Sequence, residues 1–183
     1  MTDQALEDAL EAAMAGHAWA IRVVYDDLAP RVHGYFVARG AGDPEDLTSE
    51  VFLSVFRRLH ALRGGVAGLR TLVFSVAHAR LVDELRRRSR QPEAQPYEPE
   101  RDGRRSPSSE DEAAVGLGTE RAIALLSRLP DDQRNVLLLR HIGDLTVDEV
   151  AQAVGKSPGA VKQLQRRGLL ALRDIVSREG VTP

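Results

Sequence analysis

Apolar residues recur along most of the chain at intervals of three and four, the spacing that lays one apolar stripe down a helix. Leu6, Leu10 and Met14 form one such run, and Ile21, Val24, Tyr25 and Leu28 form the next. Between Ala5 and about Arg39 this predicts helices broken near Gly16 and again at Pro30, because a proline ring removes an amide donor. Gly40 to Pro44 reads as a loop. Asp43 is placed to cap a helix whose first residue is Pro44, where a missing N–H costs nothing. That helix is predicted to reach about Leu59, with Leu47, Val51 and Val55 on one face. A glycine-rich loop, Arg63 to Gly68, precedes a long helix from about Leu69 to Arg88.

The periodicity stops between Ser89 and Gly118, a stretch rich in Pro, Glu, Ser and Gly that reads as a linker. Its acidic charge predicts an extended tether that lets the flanking parts move relative to each other. Helical spacing resumes at about Glu120, passes Pro130 and continues to about Arg178. The division expected is a first domain over 1–90, a linker over 91–119 and a second domain over 120–183. Runs of Ala, Leu, Arg and Glu with only 4% aromatic residues favour packed helices over sheets. The fold class expected is all-α, with two small helical domains.

The most specific local pattern lies in the second domain. Thr146 and Glu149 fit a capping box at a helix start, Ala151 is small enough for close helix approach, and Gly155 supplies a left-handed turn. Ser157 then caps a further helix with Pro158 at its first position, and Val161 and Leu164 are spaced to pack back on Val150, Ala151 and Val154. Together these describe a helix-turn-helix. Its second helix would present Lys162, Gln163, Arg166 and Arg167 outward, where amide and guanidinium groups read base edges in a major groove. The plainer alternative is a helical hairpin with a solvated basic face.

The net charge of -2 argues against a nucleic-acid partner only until its distribution is read. Nine arginines lie between Arg57 and Arg90 against Asp83 and Glu84, whereas the segment from Glu93 to Glu112 is acidic. Basic residues return from Lys156 to Arg178. No cysteine is present, which excludes disulfides, thiolate metal sites and cysteine nucleophiles. The five histidines, His17, His33, His60, His78 and His141, show no metal-ligand spacing, and no phosphate loop or nucleophile elbow occurs. An enzyme is thus the weakest reading, and neither catalytic residues nor a cofactor or metal is expected. The acidic N-terminus is unlike a signal peptide, no apolar window approaches bilayer-spanning length, and a cytoplasmic location without membrane insertion is expected.

The segment Leu126 to Ile175, with LPDDQRNVLLLRHIGDLTVDEVA followed by GAVKQLQRRGLLALR, closely resembles the C-terminal domain of extracytoplasmic-function sigma factors of the sigma-70 family. The resemblance implies that the helix beginning at Pro158 binds the −35 promoter element through Ser157, Lys162, Gln163, Arg166 and Arg167. DPEDLTSEVFLSVFRRL, Asp43 to Leu59, resembles the helix with which these factors grip the β′ and β subunits of core RNA polymerase. It assigns that contact to Asp46, Ser49, Glu50, Leu53 and Arg57, although acidic residues there also suit a solvated helix start. LRTLVFSVAHARLVDELRRRSR, Leu69 to Arg90, resembles the region that melts and reads the −10 element. The residues implied are Arg63, Arg70, His78, Ala79, Arg80, Arg86 and Arg87, with the Leu62–Gly68 loop as one wall of a base-capture pocket and the helix around His78 as the other. Two positions depart from the family pattern, Leu72 in place of a common tryptophan and Ala79 in place of a frequent asparagine. The resemblance further implies promoter DNA and an anti-sigma factor as partners. The rival is a DNA-binding regulator that uses the same helix-turn-helix and never enters the polymerase.

Overall fold

The computed structural model describes residues 1–90 and 110–178; for 110–117 only the helical backbone is described. Eight α-helices occur among them: α1 (Asp3–Met14), α2 (Ala18–Ala38), α3 (Pro44–Phe56), α4 (Gly65–Arg90), α5 (Glu110–Ser127), α6 (Asp131–His141), α7 (Val147–Val154) and α8 (Pro158–Arg178). A single 3-10 turn, Leu59–Ala61, sits between α3 and α4. The first four helices form one module, with Leu10, Val24, Tyr35, Phe36, Val51, Phe74 and Leu81 in its interior. The last four form a second, cored by Val136, Leu139, Leu145, Val150 and Val161.

Caps fix several boundaries. The Asp46 amide donates to Asp43 Oδ1 at 2.9 Å, with Pro44 behind the cap. Helix α2 departs from the expected break, running through Pro30 without interruption. Pro30 and Asp26 both face solvent, so the carbonyl deprived of its amide partner points toward water. The proline penalty is about 3 kcal/mol. Burial of Val24, Leu28, Val32 and Phe36 outweighs it, since each large apolar side chain contributes about 1.5–3 kcal/mol.

Helix α4 begins at Gly65 rather than Leu69, which shortens the expected glycine loop to a tight turn. The cause is remote in sequence: the Val66 amide donates to Glu7 Oε2 at 2.9 Å, so a carboxylate on α1 caps α4. Gly64 and Gly65 take φ +85° and +57° to bring the chain round. A side chain at Gly68 would collide with the Arg63 carbonyl. By length and composition α4 is also apolar enough to cross a membrane, contrary to expectation. Here its apolar face, Val66, Leu69, Val73, Phe74, Ala77 and Leu81, is buried among α1, α2, α3 and α7.

Helix α5 starts at Glu110, inside the stretch expected to be linker up to residue 119. The remainder of that linker, 91–109, lies outside the described residues. The two modules are packed together, and their buried apolar residues make one contiguous cluster. Helix α7 lies on α4, and α6 touches α2.

Candidate nucleic-acid interface

The helix-turn-helix is built by local chemistry. The Glu149 amide donates to Thr146 Oγ1 at 3.3 Å, and the Thr146 amide donates to Glu149 Oε2 at 2.6 Å, closing a reciprocal box. Gly155 ends α7 at φ +65°, and the Ala160 amide donates to Ser157 Oγ at 3.2 Å. Val161 is buried against the preceding helix, and Leu164 packs against the same cluster. What remains on the outside of α8 is Lys162, Gln163, Arg166 and Arg167, all exposed, with Ser157 at the helix start. A row of donors on an exposed helix following a tight turn is the geometry that enters a major groove.

On α3 the expected contact residues share an outward face. Asp46, Ser49, Leu53 and Arg57 are exposed, and Leu53, an apolar side chain, is 61% accessible. Glu50 is half-exposed and pairs with Arg80 of α4 at 3.4 Å. A surface mixing carboxylates, an arginine and an unpartnered leucine suits a helix of another protein.

The candidate strand-binding residues divide into two groups. Arg63, Ala79, Arg80, Arg86 and Arg87 are exposed. Arg70 and His78 instead point into the contact between modules. Arg70, only 12% accessible, pairs with Asp3 at 2.7 Å and with Asp144 of the second module at 3.5 Å. His78 Nδ1 lies 3.2 Å from both the Tyr35 hydroxyl and the Asn135 amide nitrogen. The Tyr35 hydroxyl donates to Asn135 Oδ1 at 2.6 Å. A neutral Nδ1 accepts from the Asn135 amide, whereas a protonated one would face that donor with another. Burial lowers the His78 pKa below its usual 6.5, nearby Arg39 lowers it further, Asp132 acts in the opposite sense, and Lys156 adds a smaller lowering. Burial likewise raises that of Tyr35, so its hydroxyl stays a donor.

A cavity of about 710 Å³ opens beside the turn before α4. Its walls include Arg58, Leu62, Arg63, Thr71, Leu72 and Ser75 from the first module, and Glu149 and Gln152 of α7 from the second. On α4 the lining includes Thr71, Leu72 and Ser75; His78 lies further along that helix, tied to Tyr35 and Asn135. The sequence reading also missed Arg39, whose 6% accessible side chain reaches Asp131 at 3.2 Å. Asn135, a polar residue just before the apolar run Val136–Leu139, is buried in the same contact. Among the described residues, no group of His, Asp or Glu is arranged to hold a metal ion.

Comparison with known proteins adds to this geometry. Residues 24–91 match the family Sigma-70 region 2, and residues 125–174 match Sigma-70, region 4. The ECF RNA polymerase sigma factor ShbA of Streptomyces griseus is 31% identical over 137 residues, covering 73% of this chain and 72% of its own length. The ECF RNA polymerase sigma factor SigD of Mycobacterium tuberculosis is 30% identical, covering 98% of this chain and 88% of its own. CnrH, solved in complex with the cytosolic domain of CnrY, shares the fold at a TM-score of 0.67 and 17% identity, with 94% of this chain and 97% of that one covered.

Proposed function

Because this chain belongs to the sigma-70 family of RNA polymerase sigma factors, in the extracytoplasmic-function group, we propose that its exposed faces divide the work of promoter-specific initiation. In this reading residues 1–90 dock on core polymerase and take the −10 element, while residues 120–183 bind the −35 element as duplex. The core contact is assigned to Asp46, Ser49, Glu50, Leu53 and Arg57. Arg63, Arg70, His78, Ala79, Arg80, Arg86 and Arg87 are assigned to the −10 strand, and Ser157, Lys162, Gln163, Arg166 and Arg167 to the −35 duplex.

The observation that carries the reading is the outward face of α3, where Leu53 stands bare between Asp46, Ser49, Glu50 and Arg57 beside the arginines of α4. A regulator that never enters the polymerase has no use for such a face. The factor works by binding, in the cytoplasm, and leaves turnover to the polymerase. Steep salt dependence is expected because arginines displace counterions from phosphate. An anti-sigma factor is a further partner in this reading, supported by the fold shared with CnrH, which was solved with the cytosolic domain of CnrY.

The test is reconstitution with core polymerase and mapping of transcript starts. Glu50→Lys should abolish capture by core and transcription while the far-ultraviolet dichroism stays that of the native chain. Retained core binding by a folded Glu50→Lys chain would reject the α3 assignment.

A further inference from the structure

Helix α4 opens without a cap of its own. Its first amides have no partner inside the helix, and the residues leading into it, Leu62, Arg63, Gly64 and Gly65, include none of the Ser, Thr, Asp or Asn side chains that would accept from them. The acceptor comes from α1 instead. The Val66 amide donates to Glu7 Oε2 at 2.9 Å, and the Arg70 guanidinium donates to Asp3 Oδ1 at 2.7 Å. Two carboxylates one turn apart on α1 thus meet two donors one turn apart on α4, in antiparallel register. The rest of α1 is firmly anchored: Leu6, Ala9, Leu10 and Ala13 are buried, and the helix also packs on the 3-10 turn Leu59–Ala61. It therefore grips the chain on both sides of the glycine turn. Leu62, Arg63 and Gly64 of that turn line the cavity of about 710 Å³. Helix α1 itself lies ahead of the region 2 match, which begins at residue 24.

We infer that Glu7 is a positioning residue for −10 recognition: from α1 it holds the Leu62–Gly64 turn in place against α4 and so fixes the wall on which an unpaired base is selected. The inference rests on the reading of the chain as a promoter-binding factor, and Glu7 itself touches no DNA in it. The turn needs an outside hold. Gly64 and Gly65 stand at φ +85° and +57°, and a glycine has no side chain to lock that conformation. The Gly68 amide donates to the Gly64 carbonyl at 2.9 Å, which joins the turn to α4 but leaves the Val66 amide to Glu7. A carboxylate at this place also meets the positive end of the helix dipole, and its charge strengthens the bond beyond that of a neutral oxygen. Without it the first turn of α4 frays, and Leu62 and Arg63 lose their fixed distance from Thr71, Leu72 and Ser75 in the same cavity. The core contact on α3 and the duplex contact on α8 belong to other helices and are left as they were.

The test uses the full chain with core polymerase and a promoter library in which the −10 bases ahead of a strong native start are randomised. Sequencing the transcripts gives the ratio of output between preferred and disfavoured bases. Glu7→Ala should lower that ratio at least about fivefold, the worth of about one matched base, while its affinity for core without DNA is unchanged. Glu7→Gln keeps an acceptor oxygen and should fall between the two. Ala13→Gly, at the far end of α1, weakens that helix without touching the cap and should keep the native ratio. An unchanged ratio in Glu7→Ala would overturn the inference. So would an equal fall in Ala13→Gly, which would reduce Glu7 to a general support of the fold. Should Glu7→Ala not fold, Glu7→Gln decides: a lowered ratio with core affinity intact supports the role, and a native ratio overturns it. A native chain that shows no base preference ahead of its starts would instead overturn the promoter reading itself, and this inference with it.

Discussion

The hydrogen bond from Tyr35 to Asn135 joins residues 100 positions apart at 2.6 Å, inside the contact between modules. Tyr35→Phe removes only the hydroxyl: the ring keeps its places beside Phe36 and edge-on to Phe74, at 5.7 and 6.1 Å. Asn135 Oδ1 is then left buried without its donor, which costs about 1–3 kcal/mol. Asn135→Ala should cost less, about 0.5–1.5 kcal/mol, the net worth of an ordinary hydrogen bond, because the stranded hydroxyl can turn to His78 Nδ1 at 3.2 Å. The double variant has neither orphan and should be less destabilised than the sum of the singles by about 1 kcal/mol. Urea unfolding of the four proteins of this cycle, followed by far-ultraviolet dichroism, measures the coupling. Amide exchange locates it, since Tyr35→Phe lies in α2 yet should speed exchange in α6. Singles that add to within about 0.3 kcal/mol, or an α6 untouched by the change in α2, would refute the bond as a joint between modules.

Two other outcomes follow from the same geometry. His78 has its pKa lowered where the modules meet, so their contact is at full strength above the ordinary value of 6.5 and weakens as pH falls through it, because the separated modules take up the proton first. The groups that face the ring are Arg39 from α2, Asp132 from α6 and Lys156 from the turn before α8, and small-angle scattering should show expansion at about pH 5.5 relative to about pH 8; the same expansion in His78→Gln would remove the histidine from the explanation. Glu7→Ala removes the carboxylate that caps α4 and should lower stability by about 1–2 kcal/mol. Glu7→Gln keeps an acceptor oxygen and should lose less, and equal urea midpoints for the native chain and the alanine variant would show that the cap contributes nothing.

The helix-turn-helix was legible in the sequence because its determinants are local. Thr146 and Glu149 satisfy each other three residues apart, and Gly155 and Ser157 act within one turn of where they stand. The outward residues of α8 followed from the same local geometry, whereas those of α3 came from the family resemblance. Boundaries set at a distance were not legible. The start of α4 depends on Glu7, 59 residues away, and the passage of α2 through Pro30 depends on burial contributed by other helices. The packing of one module on the other was least visible, since nothing local to Tyr35 or to Asn135, 100 residues apart, points to the other. Their meeting is a tertiary fact, and beside it Arg70 and His78 turn into the contact between modules.

The two modules meet without covering α3: Asp46, Ser49, Leu53 and Arg57 stay accessible while α7 rests on α4. The exposed side of α3 and the joint between modules therefore draw on different side chains, so that either can be altered by substitution while the other is left as it is.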